Sequence, residues 1–156
     1  MPNLFPVGYE NELSTAADLL MPQPIGYKPS ADFDFEQGDF IRNGAQQVES
    51  NSGVDAWEAW CKTCLLTDRY NHSAYTTDFG IEFDAVFKCS TREEAESMLT
   101  RQITQALTAD PYGRTSYVQD ISYEWTAPDA VLADVTIVGI DDVTINIRVP
   151  LPGGGY

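Results

Sequence analysis

Three successive runs towards the C-terminal end of the chain carry apolar side chains in alternation. They are Tyr117, Ile121, Tyr123 and Trp125; then Val131, Ala133, Val135 and Ile137; then Val143, Ile145, Ile147 and Val149. A strand turns successive side chains to opposite faces, so this pattern predicts three half-buried strands, each apolar on one face. The breaks between them, Ala127-Pro128-Asp129 and Gly139 to Asp142, are short turn signals, and links that short join antiparallel neighbours. A meander of this kind cannot stand alone: its apolar face has to be covered, and the cover must come from the residues ahead of it.

Two earlier segments have the required helical period. Asp55 to Leu66 places Trp57, Trp60, Cys61, Cys64 and Leu65 at i, i+3, i+4, i+7 and i+8, with Glu58 and Lys62 on the other side. A longer helix is predicted from Ser90 or Thr91 to about Ala109, striped by Ala95, Met98, Leu99, Ile103, Ala106 and Leu107. Thr91 and Glu94 have capping-box spacing at its start, and Asp110-Pro111 ends it, because the residue before proline is pushed out of the helical region. Between the two, Thr67 to Phe87 reads as a loop with one short helix. Ahead of both, Phe33, Phe35 and Phe40 surround Glu36-Gln37-Gly38-Asp39. They predict a hairpin whose reversal uses a positive φ at Gly38, with a second turn at Asn43-Gly44 leading to Val48. The expected fold is therefore α+β: an N-terminal hairpin and two main helices packed on an antiparallel C-terminal meander.

At 156 residues and 43% hydrophobic content, one compact domain is the expectation, spanning residues 32–149. Residues 1–31 hold Pro2, Pro6, Pro22, Pro24 and Pro29 and read as an extended arm, with one short helical patch at Leu13, Ala16, Ala17, Leu19 and Leu20. Residues 150–156, PLPGGGY, are expected to stop pairing and form a tail. The opening residues show neither a basic n-region nor a long apolar run, which disfavours a signal peptide or a membrane helix. Cys61, Cys64 and Cys89 are too few for a disulfide-stapled domain and point to a reducing compartment.

Twenty-four acidic against nine basic residues give a formal charge of −15, which argues against nucleic acid and anionic membranes as partners and favours basic proteins. An acidic DNA mimic would need carboxylates spaced along one elongated face, and the sequence shows no such array. Asp32, Asp34, Glu36 and Asp39 faintly resemble a calcium loop, but Phe33 and Phe35 between them demand burial on the opposite face. Cys61-Lys62-Thr63-Cys64 has CxxC form without the second ligand pair that zinc needs, and His72 is the only histidine. Asp68, Asp78, Glu82 and Asp84 supply carboxylates for glycoside hydrolysis, but among so many acids no pair is singled out. This reading requires no catalytic residue, no cofactor and no metal.

Four signals in fixed order, DFDFEQGDFI, the tryptophan-bearing amphipathic segment, TDRY and DFGIEFDAVF, occupy Asp32 to Phe87. In order and spacing the chain resembles the baseplate wedge proteins that initiate the tail sheath in contractile phages and defective prophages. These include the lysozyme-like wedge protein of T-even phages and a Gram-positive prophage tail family. The resemblance runs from about Asp32 to Val149. It implies a structural assembly protein of a virion baseplate, built in the host cytoplasm and arranged sixfold. Its implied partners are the tail sheath protein, other wedge proteins, and tail tube or hub proteins.

The family carries an acidic-Pro-Arg motif in a loop that docks against helices of the wedge core. Here the matching junction is Asp110-Pro111-Tyr112-Gly113-Arg114, so the resemblance assigns wedge contact to Asp110, Pro111 and Arg114, with Tyr112 and Gly113 intervening. An Arg114→Ala variant would on this view lose the contact and keep the fold. Sheath subunits of such machines interlock by lending strands, which implies a receiving edge. Its best candidate is Thr144, Ile145, Asn146, Ile147, Arg148 and Val149, a β-prone run closed by Pro150 and Pro152. A peptidoglycan-degrading muramidase and an acidic DNA-mimic inhibitor are the alternatives.

Overall fold

The computed structural model describes residues 27–151. Four two-residue strands come first: β1 (Ser30–Ala31), β2 (Phe33–Asp34), β3 (Asp39–Phe40) and β4 (Ser50–Asn51). Helices α1 (Gly53–Leu66), α2 (Phe83–Phe87) and α3 (Arg92–Thr108) follow, and then three long strands, β5 (Thr115–Ala127), β6 (Ala130–Gly139) and β7 (Thr144–Leu151). The long strands pair antiparallel in the order β5-β6-β7, as the alternation predicts. The fold is α+β, with α3 lying over β5 and α1 over β7.

One face of the sheet is dry and the other is wet. Val131, Ala133, Val135 and Ile137 of β6 and Ile145, Ile147, Val149 and Leu151 of β7 are buried against Trp57, Cys61, Cys64 and Leu65 of α1 and Leu99, Ile103 and Leu107 of α3. Burying a large aliphatic side chain contributes roughly 1.5–3 kcal/mol, so β7 is a structural member of the core as well as its border. Side-chain hydrogen bonds tie the layers together: Trp57 Nε1 donates to Thr115 Oγ1 at 3.0 Å, and Trp125 Nε1 donates to Glu96 Oε1 at 2.7 Å. Gln102, a polar residue on the buried side of α3, accepts from the Glu82 backbone N–H at 2.7 Å and anchors the start of α2.

Several expectations need correction. Tyr117 is 52% exposed, because β5 carries an extra residue relative to β6 between Thr115 and Tyr117 and again between Val118 and Asp120. Each bulge shifts the inward phase by one residue, so Val118 packs on the core in place of Tyr117. The cap expected at Thr91 forms, its Oγ1 accepting from the Glu94 N–H, and only the reciprocal bond differs: the Glu94 carboxylate accepts from the Ser90 N–H instead of that of Thr91. The β2–β3 hairpin forms with Gly38 at φ 72°, but in the second turn the positive φ falls on Gln46, while Asn43 Oδ1 accepts from Ala45 and Gln47. Of the segment read as an arm, Ser30–Ala31 pairs with Ser50–Asn51, and the Tyr27 ring lies 5.4 Å from that of Trp57. Pro150 and Leu151 continue β7 instead of beginning a tail. The helical patch at Leu13 to Leu20, and residues 152–156, lie outside the described residues.

The TDRY and FGIEF signals, read separately in the sequence, are stitched together. Ile81 donates to the Thr67 carbonyl and receives the Arg69 N–H, both at 2.9 Å, while Arg69 Nε donates to the Gly80 carbonyl at 3.0 Å. Gly80 sits at φ 92°, and a Cβ there would lie 2.6 Å from the Thr67 carbonyl oxygen. Both the dihedral and the backbone contact exclude a side chain. Gly80→Ala is therefore expected to lower stability by roughly 1–3 kcal/mol from the strained conformation alone, read as a lower denaturant midpoint. An unchanged midpoint would contradict this packing.

Candidate functional site

β7 borders the sheet on one side, and among the described residues no further strand pairs with it. Which of its backbone groups are free follows from the register. In an antiparallel pair, residues that exchange hydrogen bonds alternate with residues that do not. The Gly139 N–H donates to the Val143 carbonyl at 2.8 Å, so the bonded pairs continue in steps of two: Ile137 with Ile145, Val135 with Ile147, Ala133 with Val149 and Val131 with Leu151. Thr144, Asn146, Arg148 and Pro150 fall between them and aim their backbone polar groups away from β6. The first three offer an N–H and a C=O each; Pro150 offers only its C=O.

The side chains keep this edge open. Arg148 Nη2 reaches back over the wet face to Glu124 Oε2 of β5 at 2.7 Å, and Asn146 Nδ2 reaches Asp134 Oδ1 of β6 at 2.5 Å. The opposite border of the sheet is different. β5 is interrupted by three irregularities in its pairing with β6, whereas β7 pairs with β6 over eight consecutive residues without one. Bulges twist an edge and spoil it as a template, so β5 is the protected border and β7 the regular one. Of the residues assigned to strand addition from the sequence, Thr144, Asn146 and Arg148 carry the outward groups. Ile145, Ile147 and Val149 hold the strand to the core.

The junction between α3 and β5 is a closed loop pinned by an internal ion pair. Arg114 Nε and Nη2 donate to Asp110 Oδ2 and Oδ1 at 2.8 and 3.0 Å, and the backbone N–H groups of Arg114 and Tyr112 also donate to that carboxylate. The two side chains are 3% and 0% exposed. The guanidinium further lies 5.3 Å from the Trp60 ring and 5.1 Å from that of Tyr112, and Lys28 Nζ lies 4.8 Å from the Tyr112 ring. The fork that the sequence reading directs at a partner is therefore filled from within, and the loop presents Pro111 and Tyr112 to solvent instead. The physical reason is geometric: the turn brings Asp110 opposite Arg114, and a bidentate internal carboxylate saturates the guanidinium.

The other reactive groups do not converge. Of the four carboxylates weighed for hydrolysis, Asp78 lines the large groove beside α1, while Asp84 pairs with the exposed Lys88 at 2.7 Å and Asp68 bonds to Asn71. Cys61 and Cys64 are free thiols on the buried face of α1. Burial pushes the Cys64 thiol up to about 11 and Cys61 higher still, which keeps both protonated and unreactive at neutral pH. Among the described residues, no group of three or more His, Cys, Asp or Glu residues is placed to hold a metal ion.

Because the pair is buried, Arg114→Ala would strand the Asp110 charge inside the domain. The expectation that this variant keeps its fold is replaced by a loss of roughly 3–5 kcal/mol in unfolding free energy, read from urea denaturation. A midpoint equal to that of the parent would show that the loop does not rest on this pair.

A search against the curated proteins found no match for this chain. A family model does match, over residues 30–146, from β1 through the helical cover and into the middle of β7. It therefore takes in the pinned loop and the start of the free edge together. The family is described as the contractile injection system sheath initiator, and on a match of that extent the chain belongs to it.

Proposed function

We propose that this structural component of a contractile injection system starts the tail sheath from the baseplate by lending the free edge of β7 to a strand of the first sheath subunits. The Asp110–Arg114 loop, in this reading, fixes the domain to the wedge. The observation that carries it is the asymmetry of the sheet: a bulged border on β5 and a regular one on β7, with outward backbone groups at Thr144, Asn146 and Arg148. Wedge contact falls to Pro111 and Tyr112, with Asp110 and Arg114 holding the loop in shape before it docks, which limits the entropy lost on binding.

Magnitudes favour an arrayed assembly. A net gain of about 0.5–1.5 kcal/mol per hydrogen bond makes an edge of this length a weak binder on its own. Copies held in a ring raise the effective concentration of edges, so a sheath ring engages them together. That requirement suits the sixfold arrangement implied by the resemblance, with the sheath protein, other wedge proteins, and tube or hub proteins as neighbours. Assembly takes place in the host cytoplasm, and the mature site is the virion baseplate. The protein acts by pairing and packing, without turning over a substrate; the single groove-lining carboxylate among the four candidates favours this over a muramidase.

Deleting β7 would test little, since Ile145, Ile147, Val149 and Leu151 are core residues and the domain would unfold. Asn146→Pro removes one outward N–H at an edge position and leaves the buried side untouched. The expected outcome is a Tm within a few degrees of the parent, with tail tubes that carry no sheath in electron micrographs. Sheaths of normal number and length on this variant would contradict the proposal.

A further inference from the structure

Tyr70, at the corner of the turn that follows α1, has a backbone φ of 72° and a ring that is 65% exposed, the highest value among the large apolar side chains of the described residues. Left-handed backbone is open to glycine and asparagine but strained for a bulky aromatic residue. The other non-glycine residues with positive φ among those described, Gln46 and Asp142, are polar and close tight reversals by donating to the Asn43 and Gly139 carbonyls. Tyr75, in the same loop as Tyr70, has a partner: it stacks on Phe79 at 4.3 Å among the aromatic walls of the groove beside α1. Tyr70 is neither the residue its backbone favours nor one selected by burial.

Its surroundings fix that conformation from both sides. On one side the Arg69 N–H donates to the Ile81 carbonyl, and the buried guanidinium donates to the carbonyl of Gly80, where no side chain fits. On the other, Asn71 Nδ2 donates back across the corner to Asp68 Oδ2. A strained residue persists where its surroundings over-determine it, and strain on an exposed ring points to a contact outside the chain. Tyrosine suits that role, since it supplies a large amphipathic area and loses little rotamer freedom on binding. Charge selects the partner. From Asp68 to Asp84 the chain holds Asp68, Asp78, Glu82 and Asp84, and its one cation, Arg69, is buried. A second copy brings a formal charge of −15 and is disfavoured. The Asp110–Arg114 loop meets α1 at Trp60, whereas Tyr70 lies beyond the C-terminal end of that helix. We propose that Tyr70 is a binding anchor, whose ring enters an arginine-bearing pocket on a neighbouring protein of the particle and stacks on the guanidinium. This contact does not rest on strand lending by β7.

The test uses the full chain, made together with the sheath, tube and wedge proteins of its own particle. The photo-crosslinking residue p-benzoyl-phenylalanine replaces the exposed Ser73 in the parent and in Tyr70→Asn and Tyr70→Phe backgrounds. The expected product joins another tail protein beside an arginine. Its yield is expected to fall about tenfold in Tyr70→Asn and to hold in Tyr70→Phe, which keeps the ring. Tyr70→Asn also separates binding from a structural role: asparagine suits left-handed backbone, so its melting temperature is expected to match or exceed that of the parent. A melting temperature several degrees below the parent would make the ring a structural member and overturn the proposal. So would an equal yield from Tyr70→Asn, a junction without arginine, a crosslink to a second copy, or silence at position 73. Each of these outcomes leaves the β7 edge untouched, because that edge is read on Asn146→Pro tails.

Discussion

The antiparallel pairing of β6 with β7 is the constraint on which the rest of the structure depends. Because one face of the sheet is buried under α1 and α3, the register cannot slip by a residue without turning Ile145, Ile147, Val149 and Leu151 out to solvent. That same register decides which backbone groups face β6 and which face outward. Hydrophobic burial thus sets the hydrogen-bonding character of the free edge: the dry side of β7 holds the strand, and the residues between are left to present amides and carbonyls. The stability of the domain and the character of its free edge are consequences of one alternation.

The Asp110–Arg114 pair has the opposite logic. Two charges are taken out of water, at a cost that a bidentate geometry and two further backbone hydrogen bonds offset. What the arrangement secures is a fixed turn between the long helix and the first strand of the meander, with Trp60 and Tyr112 against the guanidinium. The loop, the aromatic groove and α1 consequently share residues: Trp60 touches the buried cation and walls the groove, and Pro111 belongs to both loop and groove lining. None of the groove-lining residues belongs to β7.

Much of this was legible from periodicity. The alternation in β6 and β7, the 3.6-residue stripe of α1 and α3, and the Thr91–Glu94 cap are local patterns, and local patterns survive in sequence. What was not legible depends on tertiary context. Tyr117 faces water because bulges in β5 change its phase, and no residue type announces a bulge there. Pro150 reads as a terminator yet continues the strand, since at an edge its missing N–H is needed by no neighbour. Arg114 turns inward because a fold brings Asp110 opposite it, whereas in sequence an arginine after a proline turn is equally compatible with an exposed fork. Gln102 was the nearest miss: its position seven residues after Ala95 puts it on the buried stripe, but its polarity argued against the core.

Amide hydrogen exchange tests the central claim most directly. In the isolated chain, Thr144, Asn146 and Arg148 are predicted to exchange rapidly while Ile145, Ile147 and Val149 are protected. In the assembled baseplate with its first sheath ring, the fast set is predicted to become protected as well. Protection of Thr144, Asn146 and Arg148 in the isolated chain, or their continued rapid exchange after the sheath ring forms, would contradict the account.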